Sequence, residues 1–347
     1  MSDTLTAAWR SPSNIALVKY WGKHGIQLPQ NPSLSFTLSD AYTETYLKAS
    51  PGNRDGAVSV DFLFEGKPAP SFAQKVVQFL QHLTDTFPFL LDYHLEIDSH
   101  NSFPHSAGIA SSASAMSALA LCLCDLDKQL SKSTHDNFWQ MASHIARLGS
   151  GSGARSVYGG LVVWGATPFV AESSDTFAVP LADELVHPDF KDYQDTILII
   201  SGAEKSVSSR AGHALMDAHP FAPVRFAQAQ QNLGHLLKSI QSGDMEHFVA
   251  LIEQEALTLH ALMMSSMPSY MLLLPNTLSV LSAVRQFREE TKIPLSFTLD
   301  AGPNVHLLYR KTDAPAVLPF IEQKLAIYCQ NGRWISDQVG KGPYSIT

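Results

Sequence analysis

The order of strand-like and helix-like segments constrains this 347-residue chain more than any other feature. Period-two patterning falls at residues 33–38, 43–49 and 58–64, the last closed by the Glu65-Gly66-Lys67-Pro68 turn, and it returns at 93–97. Residues 71–87 have helical spacing, with Val76, Val77, Phe79, Leu80 and Leu83 as the apolar stripe. Two further helices are expected at 111–126 and 135–147, and a strand at 160–164. A polar, proline-containing stretch at 180–195 marks a change in composition. Beyond it a short buried strand is expected at 196–201, then helices at 208–218, 223–242, 245–264 and 277–292. A strand pair brackets Asp300, a helix follows at 316–328, and a last strand at 334–339. Strands and helices mix without regular βα alternation, so the expected class is α+β rather than doubly wound. The length permits two domains, here 1–190 and 191–347.

Composition narrows the function classes. Apolar residues make up 45% of the chain, and no apolar run reaches the roughly 20 residues needed to span a bilayer, so no membrane partner is expected. The N-terminal residues lack the pattern of a secretory signal. Three cysteines, Cys122, Cys124 and Cys329, cannot build a disulfide framework, which favours a reducing, cytoplasmic location. The 14 histidines form no HExxH or Cys/His ladder, and no metal-ligating residues are assigned. A formal charge of −8 speaks against a nucleic-acid surface but leaves room for a small anionic substrate in a locally basic cleft.

Four loops and one turn could carry chemistry. In Leu299-Asp300-Ala301-Gly302-Pro303-Asn304 a carboxylate sits at the end of an apolar strand against a turn, a rigid position at the lip of a cleft. The loop from Asn101 to Ser114 is rich in small residues and feeds a helix N-terminus, which suits phosphate; a capped, close-packed helix start would look the same. It is neither a Walker A loop nor a GxGxxG turn. The segment from Arg147 to Gly160, with Gly149-Ser150-Gly151-Ser152-Gly153 and Arg155, reads as a backbone moulded around a ligand or as a linker. Lys19 and Lys23 flank Tyr20 and Trp21, either to reach one phosphate or as surface lysines beside core aromatics. Ser206-Val207-Ser208-Ser209-Arg210 reads as a serine-rich cap, in which Arg210 opposes the helix dipole unless an anion binds there. No GxSxG elbow is present, so phosphoryl chemistry is favoured over a Ser-His-Asp hydrolase.

Taken in order, these motifs resemble the diphosphomevalonate decarboxylases of the GHMP kinase superfamily. Asn14-Ile15-Ala16-Leu17-Val18-Lys19-Tyr20-Trp21-Gly22-Lys23 is similar to that family's opening signature, and Phe103-Pro104 through Ser111-Ser112-Ala113 to its phosphate loop. Gly149-Ser150-Gly151-Ser152 with Arg155-Ser156, then Val207-Ser208-Ser209, the Asp300 turn, and Gln338-Val339-Gly340-Lys341-Gly342-Pro343 follow in the family's order. The chain departs from the pattern at Pro32, at His105-Ser106 and at Gly153-Ala154.

The resemblance implies an N-terminal domain like that of ribosomal protein S5 and a ferredoxin-like C-terminal domain. It implies ATP with Mg²⁺, 5-diphosphomevalonate as substrate, isopentenyl diphosphate as product, and a homodimer. Under it Asp300, Lys19, Arg155 and Ser112 would be catalytic. Tyr20, Lys23, Ser150, Gly151, Ser152, Arg155, Ser209 and Arg210 would bind substrate, and Gly108, Ala110, Ser111, Ser112 and Ser114 would cradle ATP. The alternatives are a mevalonate 3-kinase or a phosphomevalonate decarboxylase of the same family, and a non-catalytic nucleotide or isoprenoid-phosphate binder.

Overall fold

The computed structural model describes residues 4–52, 56–103, 109–131, 137–203 and 207–347. The chain opens with a long strand, β1 (Leu5–Val18), then a small hairpin, β2 (Lys23–His24) and β3 (Leu28–Pro29), and a second long strand, β4 (Ser33–Pro51). β1 and β4 pair antiparallel from Leu5↔Ala49 to Val18↔Leu34. The two segments expected at 33–38 and 43–49 are therefore one strand. Their apparent break has a physical counterpart: the register shifts between Pro12 and Asn14, and residues 38–41 of β4 stand out of the pairing.

β5 (Ser59–Phe64), β6 (Lys67–Pro68), helix α1 (Pro70–Gln81) and β7 (Tyr93–Asn101) follow. Next come α2 (Ser111–Ser131), α3 (Phe138–Gly149), a 3₁₀ segment Gly151–Val157, β8 (Leu161–Trp164) and β9 (Ala178–Pro180). The strands form one sheet of order β1-β4-β7-β5-β6, with β8 also on β4 and β9 on β8. The apolar stripe of α1 (Val76, Phe79, Leu80) and the all-apolar middle of α2 bury one face of this sheet. Cys122 and Cys124 lie in that core, where burial pushes both thiols up.

The rest of the chain builds a second layer system. It comprises β10 (Gln194–Leu198), α4 (Ser209–Ala214), α5 (Ala222–Ser242), α6 (Met245–Ser265), α7 (Pro275–Thr291), β11 (Ser296–Leu299), β12 (Val305–Tyr309), α8 (Ala314–Phe320) and β13 (Trp334–Gln338). Its antiparallel sheet has the order β11-β12-β10-β13. The helix expected at 316–328 is segmented: Pro319 lies inside α8, and the chain continues as a π turn, Ile321–Leu325, and a 3₁₀ turn, Ala326–Tyr328. α4 covers only part of the expected 208–218.

A shared core joins the two halves. Ile15, Leu17, Val18, Leu34 and Phe36 pack with Tyr193, Ile197, Leu233, Phe248, Ile252 and Leu308. The last strand, β14 (Tyr344–Ser345), crosses back and pairs with β1 in the N-terminal sheet.

Candidate active site

β1 ends in the middle of the molecule, and the chain then turns through Lys19, Tyr20, Trp21 and Gly22. Lys19 is only 1% exposed, and its Nζ donates to the Ala16 carbonyl at 2.6 Å. Burial pulls its ammonium down to about 8; Asp300 and Glu255 oppose that shift, and Arg155 adds to it. Arg155, on the 3₁₀ segment, is 2% exposed. Its guanidinium is fixed by Ser35 Oγ (2.9 Å), Ser33 Oγ (2.6 Å) and Asn14 Oδ1 (3.2 and 3.3 Å). Burial lowers it to about 10, opposed by Asp300 and Tyr20, so it stays charged at neutral pH.

Asp300 is the negative charge common to this group. It is half-buried where β11 ends, and its carbonyl accepts from His260 Nε2 at 3.1 Å and from the Gly302 N–H at 2.7 Å. The strand-end carboxylate lies close enough for its charge to act on both Lys19 and Arg155.

Tyr20 continues the wall. Its ring lies 4.7 Å from that of Trp164 and 4.4 Å from that of His213, and its buried hydroxyl has no hydrogen-bond partner among the described residues. A Cβ on Gly151 would lie 2.9 Å from both the Trp164 ring and the Tyr20 hydroxyl, so glycine is required for the loop to close on this wall. Ser150 caps α3, and its Oγ lies 3.2 Å from Ser112 Oγ, which brings the start of α2 against the same loop. Ser112 is exposed, Ser111 half-buried, and Ala110 takes the left-handed conformation (φ 45°) that turns the chain into the helix. The Ser152 carbonyl accepts from Asn14 Nδ2 at 3.2 Å.

Not every expected residue faces the cleft. Ser114 is fully buried and bonded to Thr43 Oγ1 (2.7 Å) and the Ser111 carbonyl (3.2 Å), because three residues on from Ser111 the helix turns inward. Its hydroxyl serves packing rather than ligand contact. Gly108 and His105 lie outside the described residues.

Lys23 and Arg210 lie near each other, and the Lys23 charge also acts on His213. Burial and the Arg210 charge both lower the Lys23 ammonium, which donates to Gln27 Oε1 at 3.0 Å. Ser208 caps α4, accepting from the Ala211 N–H at 3.2 Å and leaving Ser209 and Arg210 exposed in the first turn. Among the described residues, Lys19, Lys23, Arg155 and Arg210 form no ion pair with a carboxylate. The group is rich in positive charge, with Asp300 as the carboxylate acting on both Lys19 and Arg155.

Several supporting residues gave no motif signal. His213 is wedged between Tyr20 and Trp21 (4.4 and 4.5 Å between ring centres), and its Nδ1 accepts the Gly22 N–H at 3.0 Å. Burial and Lys23 push it down to about 3, so it is neutral. Arg147 donates to the carbonyls of Thr176 (2.9 Å) and Ile26, bracing the β2–β3 hairpin that carries Lys23. Ser33 and Ser35 were visible only as alternate positions of a strand, and Glu255 and Arg225 only as charges on helices.

Residues 11–178 match the family model described as the diphosphomevalonate decarboxylase-like N-terminal domain, and residues 196–342 match the mevalonate 5-diphosphate decarboxylase C-terminal domain. The chain belongs to the diphosphomevalonate decarboxylase family. The diphosphomevalonate decarboxylase of Saccharomyces cerevisiae is 31% identical over 343 residues, covering 91% of this chain and 81% of that protein. The mevalonate diphosphate decarboxylase of Staphylococcus aureus superposes with a TM-score of 0.84 at 30% identity over 99% of each chain. A structure of MDDEF in complex with MVAPP, AMPPCP and magnesium gives a TM-score of 0.83 at 28% identity, again over 99% of each chain. The expected GHMP kinase-type fold, with its N- and C-terminal domains, is the fold of this decarboxylase family.

Proposed function

We propose that this chain catalyses the reaction of its family, the ATP-dependent decarboxylation of 5-diphosphomevalonate to isopentenyl diphosphate in the mevalonate pathway. The observation that carries this reading is one carboxylate, Asp300, whose charge acts on two buried cations, Lys19 and Arg155. A tertiary alcohol is a poor leaving group, so its 3-hydroxyl is first phosphorylated. Asp300 orients that hydroxyl and takes its proton as the oxygen attacks the γ-phosphoryl group of ATP, releasing ADP. Lys19 stabilises charge on the oxygen and phosphoryl group, and Arg155 holds the C1 carboxylate. The C3–O bond then breaks with its electron pair leaving on phosphate. The C1–C2 bond supplies the pair for the new double bond, and CO₂ departs. Once Asp300 has passed that proton on to solvent, its ionised carboxylate also stabilises positive charge developing at C3.

The remaining residues divide by position. Tyr20, Lys23, Ser150, Gly151, Ser152, Ser209 and Arg210 hold the substrate and its diphosphate, for which the Lys23–Arg210 end has the right charge. The start of α2, with Ala110, Ser111 and Ser112, receives the ATP phosphates at its free N–H groups. No group of three metal-ligating side chains occurs among the described residues. Mg²⁺ would neutralise phosphate charge on ATP when bound, beside the Ser112 hydroxyl at the start of α2. We take 1–190 and 191–347 as the two domains and a homodimer as the assembly. No described helix is long and apolar enough to cross a membrane, and the three cysteines are free and buried, in keeping with a cytoplasmic enzyme.

The test is incubation with ATP, Mg²⁺ and, separately, mevalonate, its 5-phosphate and its 5-diphosphate, following ADP and CO₂ together. Both products from the 5-diphosphate are expected. ADP without CO₂ would make the chain a 3-kinase, and neither product from any substrate would remove the enzymatic reading.

A further inference from the structure

The backbone of Lys19 is held from the opposite half of the molecule. Its N–H donates to Glu255 Oε2 on α6 at 2.9 Å. Its carbonyl accepts from Arg225 Nη2 on α5 at 3.3 Å and from Asn31 Nδ2 at 3.0 Å. Glu255 and Arg225 themselves form a bidentate pair, with contacts of 2.7 and 2.6 Å and side chains 0% and 1% exposed. Asn232 Nδ2 completes the carboxylate at 2.7 Å. Every oxygen of Glu255 is thus committed, and both peptide groups around the Lys19 α-carbon are anchored.

We infer that the buried Glu255–Arg225 pair is a positioning device for Lys19, fixing its peptide across the junction of the two halves so that its ammonium lies beside Asp300. A buried ion pair is a poor source of stability by itself, since two desolvated charges cost about as much as their attraction returns. Here the pair has a second task that an apolar replacement could not perform, gripping a backbone N–H and a C=O at once. A misplacement of about 1 Å at such a point costs on the order of a hundredfold in rate. The pair also sets the local field. Lys19 faces Asp300 from the β11–β12 turn, Glu255 from α6, Asp195 from β10, Arg155 from the 3₁₀ segment and Arg225 from α5. Glu255 is one of the charges that keep it protonated. Burial pushes the Glu255 carboxyl up, but Arg225, the Lys19 N–H and Asn232 outweigh this and hold it below the usual range.

The inference rests on the role given to Lys19 above, so three variants are compared by pH–rate profile, steady-state kinetics and thermal unfolding. Lys19→Met should be folded and inactive; if it turned over normally, the role of Lys19 itself would fall. Glu255→Gln should lower kcat about tenfold or more, leave KM for ATP within about twofold, and move the alkaline limb of kcat/KM to lower pH. Should that variant not fold, Glu255→Gln/Arg225→Gln replaces both charges with amides that can still bond each other, a change of the kind buried pairs tolerate. It should fold and show the same loss in kcat. An inactive Lys19→Met together with a folded Glu255 variant of normal kcat and unmoved limb, differing only in melting temperature, would reduce the pair to a structural role and overturn the inference.

Discussion

Lys19 shows how much a single residue gives up to sit in this cleft. A lysine ammonium prefers water, and here it keeps one carbonyl bond and the field of nearby carboxylates. Its folded-state value, about 8, lies below the ordinary 10.5. The folded protein therefore binds this proton less tightly than the unfolded chain, and between those pH values this group favours folding more as pH rises. Under the role proposed for Lys19, activity has the opposite dependence, because that role requires the charged form. An alkaline limb near pH 8 is expected in kcat/KM, absent from binding of an ATP analogue measured by calorimetry. Asp300→Asn should abolish ADP and CO₂ release, a loss of about a thousandfold or more, while that analogue still binds. Near-normal CO₂ release from that variant would refute the role of Asp300. Both residues drew notice in the sequence because each stands in a motif of fixed spacing. The partners that tune them were not: Glu255 and Arg225 are 236 and 206 positions from Lys19.

At the level of elements, the cleft depends on short pieces that sequence periodicity describes poorly. α4 has only six residues and is too short to be stable alone. It is held by His213 between two aromatic rings and by Gly212, where a Cβ would lie 2.6 Å from the Trp21 ring and the Tyr270 hydroxyl. Gly212→Ala should push α4 away from Trp21 and carry Arg210 with it. The expected result is a severalfold rise in KM for the diphosphate substrate, little change for ATP, and a loss of about 1–3 kcal/mol in urea unfolding. Unchanged kinetics with unchanged stability would mean that the contact is relieved at no cost. The long elements behaved differently. α5 and α6 carry apolar faces over many turns, and their expected extents lie close to those observed, whereas the helix expected at 316–328 was segmented around Pro319.

In the whole molecule, the two halves are joined by more than apolar packing. Asp337 on β13 reaches the exposed corner of β4 and accepts the N–H groups of Ser39 (2.7 Å), Asp40 (3.0 Å) and Ala41 (2.7 Å). Asp337→Ala would leave these three N–H groups without their acceptor, that of Ala41 in a buried residue, and should cost about 3 kcal/mol in equilibrium unfolding. Burial, with a contribution from Asp195, raises this carboxyl to about 6, against the pull of the backbone N–H groups. The folded state therefore holds its proton more tightly than the unfolded chain, so its contribution is present below 3.8 and lost as pH rises through about 6. Stability curves for Asp337→Ala should be flatter than wild type across that interval; an equal slope would assign the titration to another group. The sequence by itself determined the α+β class, the order of the motifs and the family, because strand alternation, helix period and motif spacing are local properties. Tertiary structure alone decided which buried groups meet, since hydrogen bonds and desolvation act across space regardless of separation along the chain. That is how Arg155 came to rest on Ser33 and Ser35, how Asp337 closes the corner of β4, and how an ion pair on two helices comes to hold the backbone of Lys19.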